Sequence, residues 1–196
     1  IGLPTALMMA SHGVEVIGTD CKKEIIEALT AGKTIFKEKG LEGLFQQAIH
    51  SGIRFTTEYQ KAEIYIISVP TPYDKKSKKV DASFVVHAVK NVLNVLENGA
   101  TIVIESTISP GTIDKFVRPV VEKCGKEVNL AHAPERIIPG NMIYELLHNN
   151  RTIGTDELAV GNRVKELYCS FCQGDIVITD IRTAEMTKVV ENTFRD

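Results

Sequence analysis

Short β-branched runs alternate with amphipathic segments along the whole chain, and this alternation limits the architectures open to it. Strand-like runs cover 14–20, 64–69, 101–106, 128–133 and 175–179, with shorter ones at 53–56 and 151–154. Helical periodicity falls between them, at 4–12, 22–31, 81–97, 112–123, 156–168 and 183–195. Gly13 and Gly32 stand where C-caps are expected, and Asp81 and Gly99 bracket the third helix. The strands are nearly continuous apolar runs, as in sheets buried on both faces. Strands alternating with helices give βαβ units, so the expected fold is α/β, a Rossmann-like doubly wound parallel sheet. The expected domain is 1–182, lacking the first strand of such a fold, and the start of a connecting helix follows at 183–196.

The chain has 196 residues, 43% of them hydrophobic and 24% charged, enough to bury a core. A net charge of −2 offers no electrostatic case for nucleic acid or an anionic membrane as partner. The apolar runs are too short to cross a bilayer. Four cysteines without a framework of pairs point to a reducing, cytoplasmic setting. The opening Ile1-Gly2-Leu3-Pro4 has neither Met nor a basic leader, so the chain reads as beginning within something longer. The lysine-rich stretch 74–79 reads as a solvated turn.

The first residues resemble the tail of a dinucleotide fingerprint: a strand, G-x-G-x-x-G, a helix, then an acid about 20 residues on. Gly2 fits the third glycine and Asp20 the acid at the end of the next strand. A carboxylate there accepts ribose hydroxyls and repels a 2′-phosphate, which favours NAD over NADP. Three later strands end in polar groups: Val69-Pro70-Thr71-Pro72, Glu105-Ser106-Thr107 and Ala133-Pro134-Glu135-Arg136. In open α/β sheets ligands bind outside the carboxyl ends of strands, so these groups are aimed at one crevice. Taken singly, each is as well explained by a turn or a cap. In the last helix Lys188 and Asn192 are four residues apart and share a face, with Glu185 close to it. A solvated amphipathic stripe has the same spacing.

These stretches, together with Glu105 through Thr112, Ala133 through Gly140, and the Glu185–Lys188–Asn192 spacing, resemble the nucleotide-sugar 6-dehydrogenases, the UDP-glucose and GDP-mannose dehydrogenase family. The Pro134-Glu135-Arg136 segment with Pro139-Gly140 resembles most the branch acting on UDP-N-acetyl-D-mannosamine. The resemblance implies a four-electron oxidation of the sugar C6 alcohol to the carboxylate, with two NAD reduced. An aldehyde is trapped on a cysteine, oxidised to a thioester and hydrolysed. It further implies Lys188 and Asn192 as oxyanion stabilisers, Glu135 in hydrolysis and Thr107 beside the water and the nicotinamide. Gly2, Asp20, Val69, Pro70, Thr71, Ser106 and Thr107 would line the NAD site, and Arg136 and Arg195 would contact the UDP-sugar. No metal is implied. The complete enzyme would be a cytoplasmic homodimer in surface polysaccharide synthesis.

The departures are as informative. None of Cys21, Cys124, Cys169 and Cys172 stands in the Gly-rich context of the family's nucleophile, and no sugar-nucleotide domain follows. This implies an amino-terminal part that is inactive alone. Cys169-x-x-Cys172 lacks a second pair for zinc and closes a helix rather than opening one, so it reads as structural. The five histidines show no metal spacing; His132 borders the crevice and reads as structural. Met186, Val189 and Val190 would leave an apolar face exposed. Three alternatives stay open: UDP-glucose or UDP-N-acetylglucosamine as substrate, a β-hydroxyacid dehydrogenase, and a non-catalytic nucleotide-binding module.

Overall fold

The computed structural model describes residues 1–76 and 78–195, the side chain of Arg195 excepted. In chain order the elements are α1 (Gly2–Ser11), β1 (Ile17–Thr19), α2 (Lys23–Thr30), α3 (Leu41–His50), β2 (Arg54–Thr56), β3 (Ile64–Ile67), β4 (Tyr73–Asp74), β5 (Lys79–Val80), α4 (Ser83–Val95) and β6 (Ala100–Ile104). A π-helical turn (Ile113–Val117) then runs into α5 (Arg118–Glu122). The rest are β7 (Val128–His132), α6 (Met142–His148), β8 (Arg151–Thr155), α7 (Leu158–Cys169), β9 (Ile176–Thr179) and α8 (Ile181–Arg195). They form two compact units.

The first unit comprises Ile1–Gln60, Arg136–Asn150 and Glu166–Asp175. Its strands β1 and β2 pair in parallel, Gly18 opposite Phe55. Leu41, Leu44, Phe45 and Ala48 recur at helical spacing and give α3 one buried face. With Leu7, Met8, Leu146 and Tyr168 they form the apolar interior of this unit. The Glu38 carboxylate accepts the N–H groups of Gly140 (2.8 Å) and Met142 (3.2 Å), fixing the start of α6.

The second unit comprises Lys61–Glu135, Arg151–Lys165 and the chain from Ile176 on. It holds a five-stranded sheet in the order β3-β6-β7-β8-β9. All pairings are parallel except β7 with β8, which is antiparallel. The sheet is therefore mostly parallel rather than wholly so. The reason lies in the connection 133–150. Its one helix, α6, has seven residues and is about 10 Å long. The connection brings the chain back at the end of the sheet where β7 stops, so β8 enters antiparallel to it. β6 is buried at every position, as a central strand covered on both faces should be. Val85, Val89 and Val92 of α4 pack into the same core. At the stretch 74–79, expected as a turn, the two-residue strands β4 and β5 pair antiparallel, Tyr73 opposite Val80 and Asp74 opposite Lys79.

Helix α8 lies tightly on β8 because Gly154 has no side chain. A Cβ there would come 2.6 Å from the Ala184 methyl, 2.7 Å from Ile181 Cα and 2.8 Å from the Asp180 carbonyl oxygen. Two of these are backbone atoms that cannot swing away. Gly154→Ala is expected to lower stability by about 1–3 kcal/mol, read as a drop in the urea midpoint. An unchanged midpoint would show that α8 can lift from the strand without cost.

Candidate active site

Three strands of the second unit deliver polar groups at their carboxyl ends, and local hydrogen bonds fix how they do so. Beyond β3, the Ser106 hydroxyl accepts the Val69 N–H (2.8 Å) and donates to the Val69 carbonyl (2.8 Å). Thr71 Oγ1 donates to the Thr107 carbonyl at 2.6 Å. The segment 69–71 is thereby stitched to 106–107. Ser106 spends its hydroxyl on backbone, while the half-buried Thr107 hydroxyl has no protein partner among the described residues. Pro70, beside them, is exposed.

Behind this edge lies a buried ionic cluster. Ser68 Oγ donates to Glu105 Oε2 at 2.6 Å, and Glu105 is fully buried. The Arg151 guanidinium, 4% exposed, stands with Nη1 4.0 Å from Glu105 Oε1 and Nη2 2.5 Å from Glu135 Oε2. Register explains the second contact. Ala131 pairs with Thr155 and His132 with Gly154, and the antiparallel run of the two chains brings the segment just beyond β7 near the start of β8, where Arg151 stands. Two carboxylates thus share one guanidinium out of water, which is tolerable only when each charge is paired.

Helix α8 adds two more buried charges one turn apart, Glu185 and Lys188. The Glu185 carboxylate accepts the N–H groups of Gly111 and Ile113, the latter at 3.0 Å. Burial pushes its carboxyl up from the ordinary range, and the two backbone N–H groups pull the other way. Glu185 therefore anchors the 111–113 turn to α8. Lys188 is 7% exposed, an ammonium withdrawn from solvent. Asn192, four residues on, is exposed. So are Met186, Val189, Val190 and Phe194 of the same helix.

His132 ends β7, wholly buried. Its Nδ1 lies 2.8 Å from the Ile104 carbonyl oxygen, so Nδ1 carries the proton and donates. Its Nε2 has no partner among the described residues. Burial lowers its pKa to about 4, so the ring is neutral at pH 7.

The first unit carries Gly2, Asp20 and Arg136. Gly2 begins α1, and Arg136 is half-buried with a guanidinium N–H donated to the Asn150 carbonyl (3.3 Å). Asp20 follows β1. Its Oδ1 accepts the Lys22 N–H at 2.8 Å, while Oδ2 has no partner among the described residues. An anionic oxygen left open at a strand's carboxyl end suits a vicinal diol, and the donor set fits an NAD ribose. Asp20→Ala is expected to weaken NAD binding about 10–100-fold, the loss of a charged hydrogen-bond acceptor. Calorimetric titration of NAD into both forms reads this, and equal affinities would remove Asp20 from the site. The Arg195 side chain lies outside the described residues.

Sequence reasoning singled out Glu135 and Lys188 but missed Arg151, which it read only as the first residue of a strand. The available signal was a charged residue opening an otherwise apolar, Gly-containing strand, Arg-Thr-Ile-Gly-Thr. Among the described residues there is no group of three or more His, Cys, Asp or Glu placed to hold a metal ion. No helix among them is long and apolar enough to cross a membrane.

The profile of the UDP-glucose/GDP-mannose dehydrogenase family, NAD binding domain, matches residues 1–172. The UDP-N-acetyl-D-mannosamine dehydrogenase of Methanococcus aeolicus is 46% identical over 199 aligned positions, covering 100% of this chain and 45% of that protein. The native structure of the UDP-N-acetyl-mannosamine dehydrogenase Cap5O from Staphylococcus aureus superposes with a TM-score of 0.93 at 42% identity, over 100% of this chain and 49% of that one. The UDP-D-ManNAc dehydrogenase of Pyrococcus horikoshii gives 0.92 at 36% identity, over 100% and 48%. The chain spans about half the length of the relatives it matches. On the strength of the profile match and the fold, this chain belongs to the UDP-glucose/GDP-mannose dehydrogenase family, and residues 1–172 are its NAD binding domain.

Proposed function

We propose that the protein bearing this chain oxidises the C6 alcohol of a UDP-sugar to a carboxylate with NAD, and that the sugar is N-acetyl-D-mannosamine. The observation that carries the reaction class is the gathering of buried charges, Glu135 with Arg151 and Lys188, within one α/β unit of a family of NAD-dependent dehydrogenases. The choice of sugar is supported by the relatives, several of which are UDP-N-acetyl-D-mannosamine dehydrogenases.

In this reading the Lys188 ammonium stabilises the oxyanion that develops at C6, and Asn192 assists. A preorganised cation in a site closed to water is the strongest single aid to such a step. Glu135 orients or deprotonates the hydrolytic water, with the open Thr107 hydroxyl beside it. Asp20 takes the adenosine ribose. Gly2, as the third glycine of the fingerprint, allows the close helix–strand packing that the NAD site needs, and Val69, Pro70, Thr71 and Ser106 line the same site. NAD bound by these residues would supply the hydride acceptor for the sugar carbon. Arg136 and Arg195 supply positive charge for the sugar nucleotide. Helix α8 begins the connection to the rest of a cytoplasmic homodimer serving surface polysaccharide synthesis.

The test is NADH formation by the protein expressed from its complete gene. UDP-N-acetylmannosamine, UDP-N-acetylglucosamine and UDP-glucose are each offered with NAD. Turnover confined to the first is expected. Turnover on UDP-glucose alone would keep the family and overturn the sugar.

A further inference from the structure

We propose that Arg151 is a positioning residue for Glu135, held in place from its other side by Glu105 and Ser68. The contacts run across the ends of four strands. Ser68 beyond β3 donates to Glu105 beyond β6 at 2.6 Å. Glu105 lies 4.0 Å from one terminal nitrogen of Arg151, at the start of β8. The other terminal nitrogen reaches Glu135, beyond β7. The proposal rests on the role given to Glu135 above and extends it to residues that take no part in substrate contact.

The geometry divides the guanidinium between two carboxylates unequally. Arg151 closes on Glu135 and stands a full ångström and a half farther from Glu105. Arginine suits this because its planar fork presents separate N–H donors to two acceptors at once and stays charged when buried. Glu105 supplies the counter-charge that keeps the guanidinium from collapsing onto Glu135 alone. Ser68 fixes Glu105 in turn. Glu135 leaves the sheet just after Pro134, on backbone no longer held by a regular ladder. Its carboxylate direction therefore depends on side-chain partners.

Beside Glu105 and Arg151, helix α8, which packs against β7 and β8, carries Arg182, Glu185, Lys188 and Glu191 among its described side chains. Glu185 is engaged with Gly111 and Ile113. Arg151 and Glu105 bring charges of opposite sign to the cluster that holds Glu135.

This gives a signature that a merely structural ion pair lacks. In the full-length enzyme, Arg151→Gln is expected to lower kcat about 100-fold with little change in KM for the sugar nucleotide, and to move the low-pH limb of kcat to higher pH. Glu105→Gln, which keeps shape and the Ser68 contact, moves the same limb to lower pH. Arg151→Lys restores part of kcat. Opposite displacements of the limb support the proposal. Limbs unmoved in both variants, or moved the same way, overturn it. If the parent enzyme turns over no UDP-sugar, the catalytic reading fails separately. The proposal is then decided by isotope-edited infrared titration of the Glu135 carboxylate in the wild-type and Glu105→Gln chains. Identical titrations overturn it, and a shift to lower pH in the variant supports it.

Discussion

Replacing Lys188 with Met is expected to lower kcat about 10²–10³-fold while leaving the KM for NAD within a few-fold. The expectation follows from where the ammonium sits. Lys188 is 7% exposed on a helix whose neighbouring positions 186, 189 and 190 are open to solvent. A lysine withdrawn from water on such a helix is there at a desolvation cost, which a surface lysine avoids. In a closed site that same charge is worth far more to a developing oxyanion than it would be in bulk water. Methionine keeps the unbranched stem, so packing against the sheet is retained and only the charge is lost. Steady-state rates with the full-length enzyme read the effect, and far-ultraviolet circular dichroism checks the fold. A variant with wild-type kcat would return Lys188 to a structural role.

The second large effect is on stability, and it comes from His132. The ring is neutral in the folded state, donating from Nδ1 to the Ile104 carbonyl, and burial has lowered its pKa from 6.5 to about 4. An unfolded chain takes up the proton near pH 6.5, where the folded one does not. Below that pH the unfolded state binds more protons, so stability falls as pH falls. The loss begins near 6.5 and is complete once the pH drops below about 4. It amounts to about 3 kcal/mol, taken from the size of the shift. Urea midpoints measured across this window should decline steeply in the wild-type protein. His132→Gln should show a flatter decline, since it cannot take up the proton. Parallel declines in the two proteins would mean that the histidine is not the group responsible.

The sequence made the alternation of strands and helices legible because buried parallel strands are written as apolar runs, of which 64–69 and 101–106 are clear cases. It could not show the antiparallel entry of β8, since that is set by where the connection 133–150 returns the chain to the sheet and not by the composition of the strand. Helix α3 was legible in Leu41, Leu44, Phe45 and Ala48 but was passed over, hidden in a polar stretch. Helix α6 was harder to see: its start depends on Glu38, about a hundred residues away, which no local pattern reveals. The site divides in the same way. Glu135, Lys188, Ser106 and Thr71 stand in motifs that specify them locally. Arg151 is defined by a cross-strand partner, and Glu105 by the guanidinium it faces. Both emerge only once register is known. Cys172, buried with its Sγ 3.4 Å from the Asn149 carbonyl oxygen, sits in the interior as a small apolar residue does.

The central claim is a four-electron oxidation, and stoichiometry tests it most directly. A limiting amount of UDP-N-acetyl-D-mannosamine is exhausted by the full-length enzyme with excess NAD. NADH and the uronate product are then counted against sugar consumed. The account predicts two NADH and one carboxylate for each sugar nucleotide, with no free aldehyde released. One NADH per sugar with aldehyde or ketone as product, or no NADH at all, would contradict it.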